Sequence, residues 1–269
     1  ALERNDKKLQ PDSLIDFSIS YYLSQNDNLH LAGCYFYKGH KFKHAQKYDE
    51  ATILYLKALD CLQNKKEYAL LGKIYCDMGD ICSIQLNYSE ALKKYQYSFE
   101  CFKRVGKTID ENYILLSIGI NFCVTKNSKK AQNYFMYVLK QSKDSTMRGS
   151  VYQYIGINYY WNKQFDSAQF YLQQSLRYPC KSSNYAIRNF VLADLLFDKE
   201  QYDSSFQYAY SALKDPVSYY IQRDCYRILT NIEYTRKNLK QMGIYMSHYQ
   251  DCADSVRKVE SQTKSTVLE

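Results

Sequence analysis

Small residues recur along this sequence in pairs, and each pair has the same internal spacing. In four places a glycine precedes an alanine by twelve residues. These pairs are Gly39 and Ala51, Gly79 and Ala91, Gly119 and Ala131, and Gly156 and Ala168. Ala193 and Ser205 repeat the pair in degenerate form, so the second small residue recurs every 37 to 40 residues. Such a period is typical of proteins built from stacked supersecondary units.

Large apolar residues stand at helical distances from the small ones. In the first unit Tyr35 and Phe42 flank Gly39. Tyr55 follows Ala51 by four residues. These spacings predict two antiparallel helices per unit, packed closely because glycine and alanine lack bulk. One hairpin cannot bury its apolar face alone, so we expect the units to stack. Second helices are expected to open at Tyr48, Tyr88, Phe165 and Tyr202, with Ser128 as the non-aromatic exception.

Composition agrees with a folded helical protein. Of 269 residues, 46% are hydrophobic and 24% charged, while 9 glycines and 3 prolines argue against an all-β chain rich in tight turns. The mean hydropathy is −0.54, and no apolar run approaches the roughly 18 residues of a membrane span. The sequence starts without Met and ends inside a polar helical pattern, so we expect the natural protein to be longer.

The residues of the first unit resemble the tetratricopeptide repeat pattern W-x2-L-G-x2-Y … A-x3-F … A. The match is carried by Tyr35, Lys38, Gly39, Phe42, Ala51, Tyr55 and Ala58. The resemblance implies an all-α fold, a right-handed α-solenoid of stacked helix-turn-helix repeats. It divides the chain into a capping helix or truncated repeat in 1–29, about five hairpins plus the first helix of a sixth in 30–238, and a C-terminal helix in 239–269. That last helix is either a cap or the start of a coiled coil.

The segment from Asp12 to Leu59 more specifically resembles a group of Bacteroidales envelope proteins. This resemblance implies the sensing or interaction domain of a larger membrane-anchored envelope protein or regulator. It places the protein in the periplasm or cell envelope, anchored by segments outside this chain. A cytoplasmic location is the alternative.

No enzyme motif stands in the sequence. The glycines are isolated, so there is no G-x-G-x-x-G and no P-loop, and G-x-S-x-G and H-E-x-x-H are also missing. We therefore predict a non-catalytic protein without a cofactor. His40 and His44 are four residues apart and could face one way like two metal ligands. No third ligand is obvious and a helix end could split them, so we predict no metal site.

The first helices should build the concave wall of such a solenoid, where residues offset from the packing stripe would meet a partner. Exposed Trp and Tyr side chains commonly anchor peptides or proteins. The alternative is that these rings pack onto neighbouring second helices. The predicted partner-binding residues are Phe36, His40, Lys43, Lys73, Tyr113, Tyr160, Trp161, Phe197 and Arg227. They predict a protein or peptide as the partner.

Charge offers a second function class. The net charge is +8, with local excesses of lysine. The two clusters are Lys38, Lys41, Lys43 and Lys47, then Lys126, Lys129, Lys130, Lys140 and Lys143. Nucleic-acid binding through these lysines is the alternative function, and a solvated helix surface is the simpler interpretation. Asp198, Lys199 and Glu200 are expected in a solvated turn. Nine cysteines without a C-x-x-C do not predict a disulfide framework.

Overall fold

The computed structural model describes residues 12–63, 66–106, 108–180, 182–214 and 217–265, and these residues form only helices and their connections. The predicted all-α fold is confirmed. The helices are α1 Asp12–Ser24, α2 Asn28–His44, α3 Tyr48–Cys61, α4 Tyr68–Ile84, α5 Tyr88–Val105, α6 Thr108–Val124, α7 Ser128–Gln141, α8 Ser145–Trp161, α9 Phe165–Leu176, α10 Ser182–Asp198, α11 Tyr202–Ala212, α12 Tyr219–Thr235 and α13 Leu239–Ser265. The second helices begin at the five predicted residues. No helix in these ranges has the length and apolar character needed to cross a membrane.

The helices pack into two compact units, residues 1–127 and 128–269, called unit 1 and unit 2 below. In unit 1, α2 pairs with α3 and α4 with α5. In unit 2, α8 pairs with α9, α10 with α11 and α12 with α13. First helices of successive hairpins also touch, α2 with α4 in unit 1 and α10 with both α8 and α12 in unit 2. The division into three segments predicted from the repeat pattern stays a prediction, and residues 1–11 and 266–269 lie outside the described residues.

Large side chains from the second helix of a hairpin pack directly against the glycine of its first helix. A Cβ atom added to Gly39 would lie 2.7 Å from Cε1 of Tyr55, and one added to Gly79 would lie 2.7 Å from Cε1 of Tyr95. In unit 2 a Cβ on Gly156 would lie 2.6 Å from Cγ of Leu172. These distances are too short for any carbon, so only glycine lets the two helices approach this closely. The close packing predicted from the small residues is confirmed for these three hairpins.

The core of each unit lies between its helices. Ala51, Ala91, Ala131 and Ala168 have no exposed surface. In unit 1, residues such as Ile74, from the following hairpin, join the same apolar cluster as Ala51. Successive hairpins therefore share one core, as expected when a single hairpin cannot bury its apolar face.

The turn inside each hairpin contains a non-glycine residue with a left-handed backbone. The central residue of the turn between α4 and α5 is Leu86, with φ of 63°, and after it the amide of Asn87 donates to the carbonyl of Cys82 over 2.8 Å. This is the helix-ending arrangement that most often uses glycine. The other hairpin turns place Gln46, Lys163, Glu200 and Lys237 in the same conformation. No glycine marks these turns in the sequence.

Candidate binding surfaces

A polar network connects the first helices of unit 1. The Lys43 ammonium on α2 donates to Asp77 Oδ1 at 2.5 Å and to Asp80 Oδ2 at 2.8 Å, both on α4. His40 Nδ1 lies 2.7 Å from Asp77 Oδ2. Burial opposes the charge on Asp77, but the hydrogen bond from His40 and the charge of Lys43 outweigh it and hold the pKa of this carboxyl below its usual value. Lys43 thus forms ion pairs with two carboxylates.

Two tyrosines from second helices complete this network. The Tyr55 hydroxyl donates to Asp77 Oδ2 at 2.7 Å, and the Tyr95 hydroxyl donates to Asp80 Oδ1 at 2.8 Å. Burial, followed by the nearby carboxylates, raises the pKa of both phenols far above the usual value. Both tyrosines therefore remain neutral donors. Because their rings cross Gly39 and Gly79, the same small residues that permit helix packing also aim these hydroxyls at the carboxylates.

The network changes the interpretation of several predicted partner-binding residues in unit 1. Phe36 is only 6% exposed and belongs to the core, which is the packing alternative that the sequence left open. His40 and Lys43 face α4 and are engaged there, whereas Lys73 is half-buried. Tyr113, at 46% exposure, is the most open of this group. Phe36, His40 and Lys43 are therefore engaged within unit 1.

The same ion pairs bear on the nucleic-acid alternative. Of the first lysine cluster, Lys43 is held by Asp77 and Asp80, and Lys38 is held by Asp16 on α1. Phosphate binding would require these ammonium groups to leave their carboxylates. Two of the four positive charges in this cluster are therefore already neutralised by the chain itself.

A second polar network connects three first helices of unit 2. The Tyr160 hydroxyl on α8 lies 2.9 Å from Asp194 Oδ2 and 2.8 Å from Asp198 Oδ2, both on α10. On α12, Arg227 Nη2 donates to Asp194 Oδ1 at 3.1 Å. Burial and the two carboxylates raise the pKa of Tyr160 far above its usual value. We call this surface the α8–α10–α12 wall and define it by Tyr160, Trp161, Asp194, Phe197, Asp198, Arg227 and Tyr234.

Two aromatic side chains on the helices of this wall are exposed. Trp161 ends α8 and is 54% exposed, and Tyr234 near the end of α12 is 68% exposed. Phe197 is half-buried, with its ring centroid 5.6 Å from that of Tyr202. The wall therefore combines open aromatic surface with charged groups whose positions are fixed by hydrogen bonds.

Lys199 and Glu200 lie in the expected turn, and Asp198 is exposed but still helical. It is the last residue of α10 and accepts the hydrogen bond from Tyr160. Asp194 pairs with Arg227, but no cationic side chain among the described residues lies within ion-pair distance of Asp198. The signal that could have placed both carboxylates on one face is their spacing of four residues in a helix.

The described residues bring together one candidate metal group by distance alone, Cys76, Asp77 and Asp80, whose ligand atoms lie within 4.8 Å of one another. The ammonium of Lys43 already contacts both carboxylates. Burial raises the pKa of the Cys76 thiol well above its usual value, which opposes formation of a thiolate ligand. This group is better described as an ion-pair network than as a metal site.

No protein-family model matches the sequence, and no curated protein sequence matches it. Solved structures share its fold. The apo form of RapI matches with a TM-score of 0.68 and 14% identity over 91% of each chain. The Rap conjugation gene regulator of plasmid pLS20, in complex with the Phr* peptide, matches with a TM-score of 0.66 and 13% identity over 88% of this chain and 68% of that one. A signal transduction ATPase with a tetratricopeptide repeat sensor from Pyrococcus horikoshii matches with a TM-score of 0.66 and 14% identity, over 90% of this chain and 39% of that one.

At these identities the likeness establishes the fold. The chain has the stacked-hairpin architecture of tetratricopeptide-type repeat proteins, as the sequence predicts. The closer resemblance to Bacteroidales envelope proteins stays a prediction.

Proposed function

We propose that this chain is a non-catalytic scaffold that binds a protein or peptide on the α8–α10–α12 wall. The observation that carries the proposal is the position of Trp161. Its ring is 54% exposed, while the adjacent Tyr160 is held by Asp194 and Asp198. A large aromatic side chain on a rigid support loses little conformational entropy on binding, which is typical of an interface anchor.

The wall also favours a particular partner chemistry. Asp194 and Asp198 contribute two carboxylates, and Arg227, which pairs with Asp194, contributes one guanidinium, so the formal charge of these three groups is negative in a chain whose net charge is +8. A cationic group of the partner, a lysine, an arginine or an amino terminus, would pair with Asp198 and lie near an aromatic face. An apolar side chain of the partner would cover Trp161. An extended segment with one apolar and one basic residue meets both requirements.

Two further facts support a peptide partner. The first helices of this unit touch one another, and side chains of α8, α10 and α12 are joined by hydrogen bonds, which suits an extended ligand. The structure of the Rap conjugation gene regulator, which has the same fold, is that of a complex with the Phr* peptide. The absence of a recognised catalytic motif supports a role in binding rather than in chemistry.

The test is selection of binders from a random peptide library on the immobilised chain. We expect enriched peptides that combine a basic with an apolar residue, and we expect Trp161→Ala to weaken their binding at least tenfold. Phe170→Ala is the matched control, because Phe170 is an aromatic of equal exposure, 54%, on the second helix α9. Equal losses in both variants, or none in Trp161→Ala, would contradict the assignment of the wall.

We also propose that this scaffold is the sensing or interaction domain of a larger envelope protein or regulator, located in the periplasm, with the cytoplasm as the alternative. The support is the resemblance of residues 12–59 to Bacteroidales envelope proteins. Membrane attachment would come only from segments outside this chain. Fractionation of cells that express the complete reading frame tests the location, and recovery with the soluble cytoplasmic proteins would contradict it.

A further inference from the structure

Two histidines at the end of α2 bring ring nitrogens together. His40 and His44 are four residues apart, and α2 extends through His44, so both side chains leave the same face of one helix. Their Nε2 atoms are 3.1 Å apart, and the ring planes meet at 84° with centroids separated by 4.5 Å. Helix α2 ends only after His44, so the helix end does not separate the two side chains.

A carboxylate sets the tautomer of the first histidine. Asp77 Oδ2 lies 2.7 Å from His40 Nδ1, and an ionised carboxylate can only accept, so Nδ1 carries the hydrogen. In the neutral ring the lone pair is then on Nε2, the atom that faces His44. A carboxylate that holds the far nitrogen of an imidazole is the arrangement that orients histidine ligands in metal sites.

The distance between the two nitrogens also fits shared coordination. Two imidazole nitrogens that each bind one ion at about 2.0–2.1 Å, and lie 3.1 Å apart, subtend roughly 100° at that ion. This angle lies between the octahedral and tetrahedral values. The exposed side of the pair leaves the remaining coordination positions to water or to a group from outside.

Lys43 does not fully neutralise the two carboxylates beside His40. Asp77 and Asp80 contribute two negative charges and Lys43 one positive charge, and these three groups are bonded to one another beside His40. The cluster without the histidines therefore carries one net negative charge. A divalent ion at the histidine pair would be attracted to this charge without displacing Lys43 from its carboxylates.

We propose that His40 and His44 bind one divalent transition-metal ion through their Nε2 atoms, with Asp77 as the carboxylate that orients His40. Imidazole ligands select ions such as Ni²⁺, Cu²⁺ and Zn²⁺ over Mg²⁺ and Ca²⁺. The competing explanation is a simple hydrogen bond, in which His44 Nε2–H donates to His40 Nε2.

The experiment is titration of the whole untagged chain with NiCl2 by isothermal calorimetry. We expect one Ni²⁺ per chain, and we expect His40→Ala and His44→Ala each to weaken binding at least tenfold. Asp77→Asn should weaken it by about tenfold while both ligands remain. The matched controls are His30→Ala and His248→Ala, which remove the other two histidines and should leave the affinity unchanged.

A second measurement distinguishes binding by the histidines from Ni²⁺ binding by cysteines and from the unfolding of a variant. In the wild-type chain, Ni²⁺ should broaden the imidazole NMR signals of His40 and His44 and spare those of His30 and His248. Undiminished Ni²⁺ binding in His44→Ala would assign the metal to other ligands and overturn the proposal. A wild-type chain that binds no Ni²⁺ would show that the pair forms only a hydrogen bond.

Discussion

The hydroxyl of Tyr55 donates a 2.7 Å hydrogen bond to the carboxylate of Asp77 and thereby ties one hairpin of unit 1 to the next. Tyr55 lies on α3, and Asp77 lies on α4 of the following hairpin. The ring of the same tyrosine lies over Gly39 of its own hairpin. One residue thus joins the packing inside a repeat to the packing between repeats.

Tyr55→Phe isolates the hydroxyl from the ring. We expect the free energy of unfolding to fall by about 1–2 kcal/mol, because the bond to an ionised group is lost while His40 and Lys43 still hold Asp77. Urea unfolding followed by circular dichroism measures the change. Tyr97→Phe is the control, since Tyr97 is 59% exposed and its variant should stay within about 0.5 kcal/mol of wild type.

Replacing glycine by alanine should change the free energy of unfolding in opposite directions at two positions. Gly39→Ala places a methyl group against the buried Tyr55 ring, which cannot move freely while its hydroxyl is bonded, so we expect a net loss of about 1–2 kcal/mol. Gly243 lies in α13 with open space around its Cβ position. Gly243→Ala should therefore gain up to about 1 kcal/mol from helix propensity. Thermal unfolding of both variants decides the matter, and a stabilised Gly39→Ala would show that the ring is not fixed.

Two ion pairs at equivalent repeat positions in unit 2 should contribute differently to the free energy of unfolding. Lys199 pairs with Asp166 at 2.7 Å, and Arg236 pairs with Asp203 at positions 37 residues later. Arg236 also holds Glu233, which is only 4% exposed. Arg236→Met would leave that buried carboxylate with Asn238 as its remaining described partner, and we expect a loss of about 2 kcal/mol.

Lys199→Met is the matched variant at the equivalent position. Its partner Asp166 is almost fully exposed, so the loss should remain below about 1 kcal/mol. Chemical denaturation of the two proteins under identical salt conditions gives the comparison. Equal losses would mean that burial of Glu233 does not matter to the stability of this hairpin.

Two cysteines should resist alkylation in the native protein. Burial raises the pKa of Cys123 and of Cys225 to about 12, so roughly one thiol in ten thousand is ionised at pH 8. Both side chains are also at most 2% exposed. We expect mass spectrometry after brief iodoacetamide treatment to find them unmodified, while half-buried Cys180 reacts. Full modification of all three in urea provides the control, and rapid native labelling of Cys225 would contradict its burial.

The repeat pattern was sufficient to predict the helices but not the polar contacts between them. Second helices begin where Tyr48, Tyr88, Phe165 and Tyr202 were expected, because aromatic and small residues occupy a fixed register in each repeat. The position of Trp161 on a partner-binding wall stays a prediction, and the structure adds that this side chain is 54% exposed. The spacing of apolar residues shows which face of a helix is buried. It does not show which residues of the neighbouring helix that face contacts.

The polar contacts between helices depend on which residues of neighbouring helices meet, and the sequence does not show this. The partners of Asp77 come from α2 and α3, up to 37 residues away, and nothing local distinguishes them from other polar residues. The charged neighbours of Asp198 predict a turn that includes it, whereas α10 ends at this residue and the turn follows. The register of Phe36 predicts a place on the partner surface, but its ring packs in the apolar core of unit 1.

The left-handed turn residues have a consequence for how the chain folds. Each of Gln46, Leu86, Lys163, Glu200 and Lys237 accepts a backbone conformation that costs a side-chain-bearing residue roughly 1–2 kcal/mol. An excised hairpin would have to meet that cost without its neighbours and should fray. We therefore expect each repeat to acquire its geometry cooperatively, together with the ones beside it.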